Sequence, residues 1–275
     1  MQASVEQVAA LARKAGAAIM DIYKTDFSAY EKSDSSPLTE ADLAAHRLIV
    51  SGLAEVSDYP VLSEESDPES VKWDKRSEWS TYWLVDPLDG TKEFIKKNDE
   101  FTVNIALIDN GKPVMGVVYC PPLNRIYTGV VGQGAYCQDG ENPPVSILVS
   151  SAPENGGVWK VVGSRSHGAE ALEQFSSGLG NVELVSMGSS LKLCLVAEGA
   201  AHLYPRLAPT CEWDTGAAQA VVEAAGGKVL NPNFEELKYG TKRDLLNPYF
   251  IVCGGVDYIW KQSFIDAVNK CNAVE

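Results

Sequence analysis

The chain has 275 residues, with 23 Lys and Arg against 37 Asp and Glu, for a formal charge of −14. Its 45 % hydrophobic and 22 % charged residues are those of an ordinary globular protein, which excludes collagen-like, low-complexity and disordered classes. The acidic balance argues against a nucleic-acid polymer as ligand, because phosphate backbones are held by Lys/Arg surfaces; a small phosphate ester stays open if metal ions invert the local field.

Ser4 and Gln7 have the spacing of a capping box. Val8, Leu11, Ala12, Ala15, Ile19 and Ile22 then recur with helical period, which predicts an amphipathic first helix. Charges at Glu6, Arg13, Lys14 and Asp21 leave no apolar signal region there, and no 18-residue apolar run occurs elsewhere. The expectation is a soluble cytoplasmic protein without stable membrane insertion, with a peripheral place at the inner membrane left open. The segment 33–37 breaks the pattern. Thr39 caps a second helix carrying Ala41, Ala44, Ala45, Leu48, Ile49 and Leu53, though Asp42 is a shorter partner in that box than a glutamate would be.

After residue 59 the period changes to two. β-rich runs at 60–63, 81–86, 101–108, 113–120, 125–131 and 145–149, with Asn110-Gly111 as a hairpin turn, predict an antiparallel meander. Past residue 158 the pattern alternates: strands at 159–163, 182–187, 201–205 and 248–253, helices at 168–177, 189–198, 214–225 and 256–270. Gly226-Gly227 stops the third of these helices. The expected fold is α+β/α/β in α-β-α-β-α layers, with an N-terminal half 1–152 and a C-terminal half 153–275 in one compact unit. The six cysteines at 120, 137, 194, 211, 253 and 271 contain no C-x-x-C pair, so they are expected as reduced, small apolar packers.

The densest chemical signal is Trp83-Leu84-Val85-Asp86-Pro87-Leu88-Asp89-Gly90-Thr91. An apolar strand runs into two aspartates three apart, around a turn set by Pro87 and Gly90. Such a turn can gather both carboxylates and the intervening carbonyl, the oxygen donors that hard divalent ions take. A plain Asp-Pro/Asp-Gly surface turn is the bland alternative. Glu64-Glu65-Ser66 after an apolar strand, Trp213-Asp214 at a helix start and Thr39-Glu40-Ala41-Asp42 would each, alone, be solvated turns or caps.

In this order, Glu64-Glu65-Ser66, Asp86-Pro87-Leu88-Asp89-Gly90-Thr91 and Trp213-Asp214 resemble the inositol-monophosphatase superfamily of magnesium-dependent, lithium-sensitive phosphatases, with its layered sugar-phosphatase fold. Asp89 through Phe94, the Glu100–Ile108 segment, Gly163 through His167 and Gly188 through Lys192 are similar to the CysQ-type 3'(2'),5'-bisphosphate nucleotidases. Relatives commonly read W-D-T-A-A-G where this chain has Trp213-Asp214-Thr215-Gly216-Ala217-Ala218, so the glycine is displaced.

The resemblance implies two to three Mg2+ held by Glu64, Asp86, the Leu88 carbonyl, Asp89 and Asp214, with a third, weaker ion leaning on Asp42. It implies that Glu64 and Thr91 orient the attacking water, that Asp42 paired with Thr91 accepts its proton, and that the Gly90-Thr91 amides hold the scissile phosphate. The expected substrate is a small nucleotide bisphosphate, 3'-phosphoadenosine 5'-phosphate, cleaved to AMP and phosphate in sulfur assimilation and nucleotide recycling; its sulfated relative is a second candidate. Ser164, Arg165, His167, Ser189, Ser190, Lys192 and Arg206 are expected around the nucleotide. For Arg206 an exposed ion pair, and for His167 a cap or surface position, are the plain alternatives. An inositol or sugar monophosphatase and an inactive metal- or nucleotide-binding regulator are the competing functions, and the resemblance allows a homodimer.

Overall fold

The computed structural model describes residues 3–31, 37–154, 156–163, 169–254 and 258–273. The first helix, α1 (Val5–Tyr23), opens with the expected box: the Gln7 N–H reaches Ser4 Oγ at 3.3 Å, and Gln7 Oε1 takes the Ser4 N–H at 2.9 Å. Strands β1 (Ala29–Glu31) and β2 (Pro37–Thr39) follow as an antiparallel pair, where the sequence pattern shows only a break. Helix α2 (Glu40–Val56) is capped by Thr39, and Asp42 does reach back: its Oδ2 takes the Thr39 N–H at 2.8 Å and the Thr39 hydroxyl at 2.6 Å.

The first sheet holds β3 (Val61–Ser63), β4 (Thr81–Asp89), β5 (Thr102–Asp109), β6 (Lys112–Cys120), β7 (Arg125–Val130), β8 (Gly134–Asp139) and β9 (Val145–Ile147), in that spatial order. Short helices α3 (Trp73–Arg76) and α4 (Thr91–Ile95) lie on either side of β4 in the chain. From β4 to β9 the sheet is the expected meander, but β3 pairs with β4 in parallel. Asn110 and Gly111 both have positive φ, 48° and 77°, as a primed two-residue hairpin turn requires.

The second sheet is mixed. It comprises β10 (Trp159–Gly163), β11 (Val182–Ser186), β12 (Leu203–Arg206), β13 (Gly227–Leu230) and β14 (Phe250–Gly254) in the order β11-β10-β12-β14-β13. Its helices are α5 (Ala169–Ser177), α6 (Leu191–Ala197), α7 (Glu212–Ala224) and α8 (Lys261–Asn272), the last preceded by a 3-10 turn at Tyr258–Trp260. The final helix therefore starts later than its apolar pattern suggests.

Three cores define the layers. Ala12, Ile19, Ile49 and Leu53 of α1 and α2 pack on Trp83, Val103, Ile105 and Val117 of the first sheet. The other face of that sheet, through Leu84, Ala106 and Val118, meets α6 and α7 and then Val162, Tyr204 and Val252 of the second sheet. Phe175 of α5 and Phe264 of α8 cover the far face, on Val161, Leu203 and Ile251. This is the α-β-α-β-α arrangement.

Helix α7 sits unusually close to the first sheet. A Cβ on Gly116 would run into the Ala217 carbonyl, and one on Gly129 into the Val221 backbone. Gly216 explains the displaced glycine: a Cβ there would stand 2.9 Å from Leu84 Cδ2, so the helix approaches β4 on its own glycine.

Candidate active site

Three elements meet at the C-terminal end of β4. Asp86 and Asp89 lie on β4 itself, where the pairing with β5 shifts register between them. That bulge lets residues three apart point to one place. Asp214 stands in the first turn of α7, where its Oδ2 takes the Cys211 N–H at 2.8 Å. Each of the three offers a carboxylate oxygen, and these oxygens lie within 4.8 Å of one another. Glu64, half-buried after β3 and tied by its N–H to the Val85 carbonyl at 3.1 Å, adds its charge to all three.

The electrostatics are unfavourable for bare carboxylates. Burial, then Glu64, Asp89 and Asp214, raise Asp86 well above the usual range. Burial, then Asp89 and Glu64, push Asp214 up to about 8. Burial raises Asp89 to about 6 against the opposing pull of Lys192 and of the Ser190 N–H. A divalent cation would offset both the cost of burying these charges and their mutual repulsion, and it takes the oxygen donors it prefers, so the residues present fit a metal ion.

Gly90 turns the chain out of the cluster at φ +92°, and a side chain there would press on the Glu100 carbonyl. The helix it opens, α4, has only five residues, so what Gly90 and Thr91 offer an anion is N–H donors more than a summed helix dipole. The Thr91 hydroxyl lies 3.2 Å from both Asp42 Oδ1 and the Leu88 carbonyl. The expected Asp42–Thr91 pair is therefore in contact, with Asp42 only 2 % exposed.

Beside the cluster lies a cleft of about 590 Å3 lined by Asp89, Gly90, Ser189, Lys192, Arg206 and Asp214. Lys192 is buried, with its ammonium 5.9 Å from the Tyr204 ring centroid. Arg206 bonds its own loop, at the Ala208 and Pro209 carbonyls and Thr210 Oγ1, which fixes the guanidinium at the cleft wall. Ser189 adopts φ +45°, and its buried Oγ has no hydrogen-bond partner among the described residues. Ser190, expected at the nucleotide, lines this cleft with Ser189 and Lys192 but is only 2 % exposed, and its polar groups bond inward: its N–H goes to Asp89 Oδ2 at 2.6 Å, and its hydroxyl goes to Asn104 Oδ1 at 2.8 Å. Ser164, Arg165 and His167 lie outside the described residues. Thr102 and Asn104 belong to the site's supporting layer and are not picked out by the sequence reading. The available signal is their polarity at alternate positions of an otherwise apolar strand.

The chain belongs to the inositol monophosphatase family, whose model matches residues 1–273. Among individual relatives, it is 47 % identical over 251 residues to 3'(2'),5'-bisphosphate nucleotidase CysQ of Escherichia coli K12, covering 90 % of this chain and 98 % of that one. It is 42 % identical over 240 residues to the protein of the same name from Buchnera aphidicola, covering 86 % and 87 %. The crystal structure of CysQ from Bacteroides thetaiotaomicron, a bacterial member of the same family, superimposes with a TM-score of 0.81 at 44 % identity, covering 92 % of this chain and 97 % of that one.

Proposed function

We propose that the chain is a Mg2+-dependent phosphoric monoester hydrolase that removes the 3'-phosphate of 3'-phosphoadenosine 5'-phosphate, giving adenosine 5'-phosphate and inorganic phosphate. The sulfated analogue is the second substrate of this reading. The observation that carries it is the adjoining of two opposite sites. A cluster of three carboxylates opens on a cleft whose wall bears Lys192 and Arg206. The relatives' names supply the nucleotide class.

The residues that would hold two to three Mg2+ are Asp86, Asp89 and Asp214, with Glu64 and the Leu88 carbonyl. When bound, the metal neutralises phosphate oxygens and lowers the pKa of water. Thr91 and Glu64 orient the water on the side of the phosphorus away from the sugar. As its oxygen bonds to phosphorus, the water proton passes to Thr91 Oγ1 while the Thr91 proton moves to Asp42 Oδ1, along the contact already made. The P–O bond to the 3'-oxygen breaks, and that oxygen leaves with a proton from solvent. Gly90 and Thr91 N–H groups hold the phosphate. Ser189, Lys192 and Arg206 take the 5'-phosphate, Ser189 supplying a hydroxyl that has no partner among the described residues. No side chain needs to be phosphorylated on the way.

Phosphate release from 3'-phosphoadenosine 5'-phosphate and from inositol 1-phosphate, measured side by side with Mg2+ and with added Li+, tests this. Faster release from the nucleotide, abolished by Li+, is expected. Preference for the inositol ester would keep the carboxylate site and overturn the assignment of Ser189, Lys192 and Arg206. Full turnover by Asp89→Asn would overturn the metal assignment.

A further inference from the structure

Behind Asp89 lies a buried polar triangle that the chemistry above does not use. Thr102 and Asn104 project from the same face of β5, directly opposite Asp89 and Asp86 in the strand register. They are 0 % and 1 % exposed. Asn104 Oδ1 accepts the Thr102 hydroxyl at 3.1 Å and the Ser190 hydroxyl at 2.8 Å, and the two hydroxyls stand 2.9 Å apart. With its oxygen so engaged, the amide must turn Nδ2 outward, and Nδ2 donates to Asp89 Oδ2 at 3.4 Å. The Ser190 N–H falls on the same oxygen. A cation can take the other oxygen of Asp89 without breaking either bond.

Ser190 is also the joint between two structures. It precedes α6 and lines the cleft together with Ser189 and Lys192. The Lys192 charge bears on Asp89, where it opposes an incoming cation. An anion in the cleft offsets that charge and loads the Ser189–Lys192 turn, and the turn is bonded through Ser190 to the carboxylate. Buried hydrogen-bonded groups of this kind transmit small displacements because packed interiors yield little. Groups that orient a metal ligand from behind tune its affinity.

We propose that Thr102, Asn104 and Ser190 are positioning residues that couple occupancy of the nucleotide cleft to cation binding at Asp89. This rests on the functional reading above, in that the cleft holds a nucleotide 5'-phosphate and the cluster holds a divalent ion. Linkage makes the coupling mutual: the cation tightens the nucleotide by the same factor.

The test is calorimetric titration of Mn2+ into the whole protein, with and without adenosine 5'-phosphate. The wild type binds Mn2+ more tightly in the presence of the nucleotide, by about five-fold or more. Asn104→Ala weakens Mn2+ binding about ten-fold or more and loses the response to the nucleotide. Thr102→Val, equal in volume and linked to Asp89 only through Asn104 and Ser190 in the hydrogen-bond chain, loses the response with a smaller change in Mn2+ affinity, and it carries the test if Asn104→Ala does not fold by circular dichroism. A folded variant that binds Mn2+ weakly yet keeps the full response to nucleotide shows a merely structural role and overturns the proposal, as does one that matches the wild type throughout. If the wild type binds both ligands independently, the coupling alone fails; if it binds neither, the functional reading itself fails.

Discussion

Thr91 holds the narrowest position in the site, since its single hydroxyl proton is shared between Asp42 Oδ1 and the Leu88 carbonyl, 3.2 Å from each. Thr91→Val keeps the shape and removes the hydroxyl proposed to relay the proton to Asp42. It is expected to lower kcat by roughly 10²-fold or more, with Mn2+ affinity near that of the wild type; an unchanged kcat would remove Thr91 from the mechanism. A second residue-scale expectation concerns Glu223 on α7. Burial pushes its carboxyl from 4.5 up to about 7, against the Gln219 amide that donates to it at 2.7 Å. The folded state therefore holds this proton more firmly than the unfolded chain does. The stability so contributed is full below pH 4.5 and is lost as pH rises through about 7. Glu223→Gln keeps the acceptor for Gln219 and cannot ionise. Its melting temperature should exceed the wild type's above about pH 8 and match it near pH 4.5. Equal melting temperatures at the higher pH would show that the carboxylate is solvated after all.

At the level of elements, the seat of α7 is the sharpest case. Gly116→Ala places a methyl against the Ala217 carbonyl and is expected to cost about 1–3 kcal/mol. Because the helix carries Asp214, Mn2+ affinity should fall with stability; a variant that melts earlier but binds Mn2+ like the wild type would show that α7 shifts without moving its first turn. How much of this was legible depends on how local the cause is. Ser4 with Gln7, Thr39, and Asn110-Gly111 act within four residues, and the sequence declares them. Strand β8 (Gly134–Asp139) has only Ala135 fully buried, so it lacks the alternation that would announce a strand and exists because β7 and β9 pair with it. Strand β13 starts at the glycine that follows the helix stop, and its three non-glycine residues are too few to show a period. The parallel pairing of β3 is likewise a tertiary outcome of a three-residue run. In the site, residue type and spacing mark the carboxylates. The inward turn of Ser190 and the Thr102–Asn104 support depend on two sheets meeting, which no local pattern encodes.

Over the whole molecule, the charge of −14 and a cluster of carboxylates that raise one another's pKa make the cation a stabiliser of the fold. Mg2+ at about a hundred times its dissociation constant should add about 2.7 kcal/mol and raise the melting temperature by roughly 5–10 °C, an increase reversed by chelator. No shift on adding Mg2+ would mean that the cluster does not bind it. No disulfide joins any two of the six cysteines among the described residues, and burial pushes the Cys120 thiol up to about 11 and Cys253 to about 12. These thiols carry no part of the stability as crosslinks, and reductant should leave the melting curve unchanged.

The glycine-floored seat of α7 also sets a timetable. Asp86 and Asp89 belong to a sheet that pairs largely between chain neighbours, whereas the third carboxylate arrives with a helix encoded far downstream. On a ribosome, that interval is on the order of ten seconds. During it the sheet has its outer helices, while the face built on Leu84, Ala106 and Val118 still waits for α7. A nascent chain therefore passes through a stage with an exposed apolar face and an incomplete carboxylate cluster, when it is most prone to aggregation. Docking of α7, with α6 beside it, covers that face and brings in the third carboxylate, so completion of the cluster and escape from self-association are tied to one event.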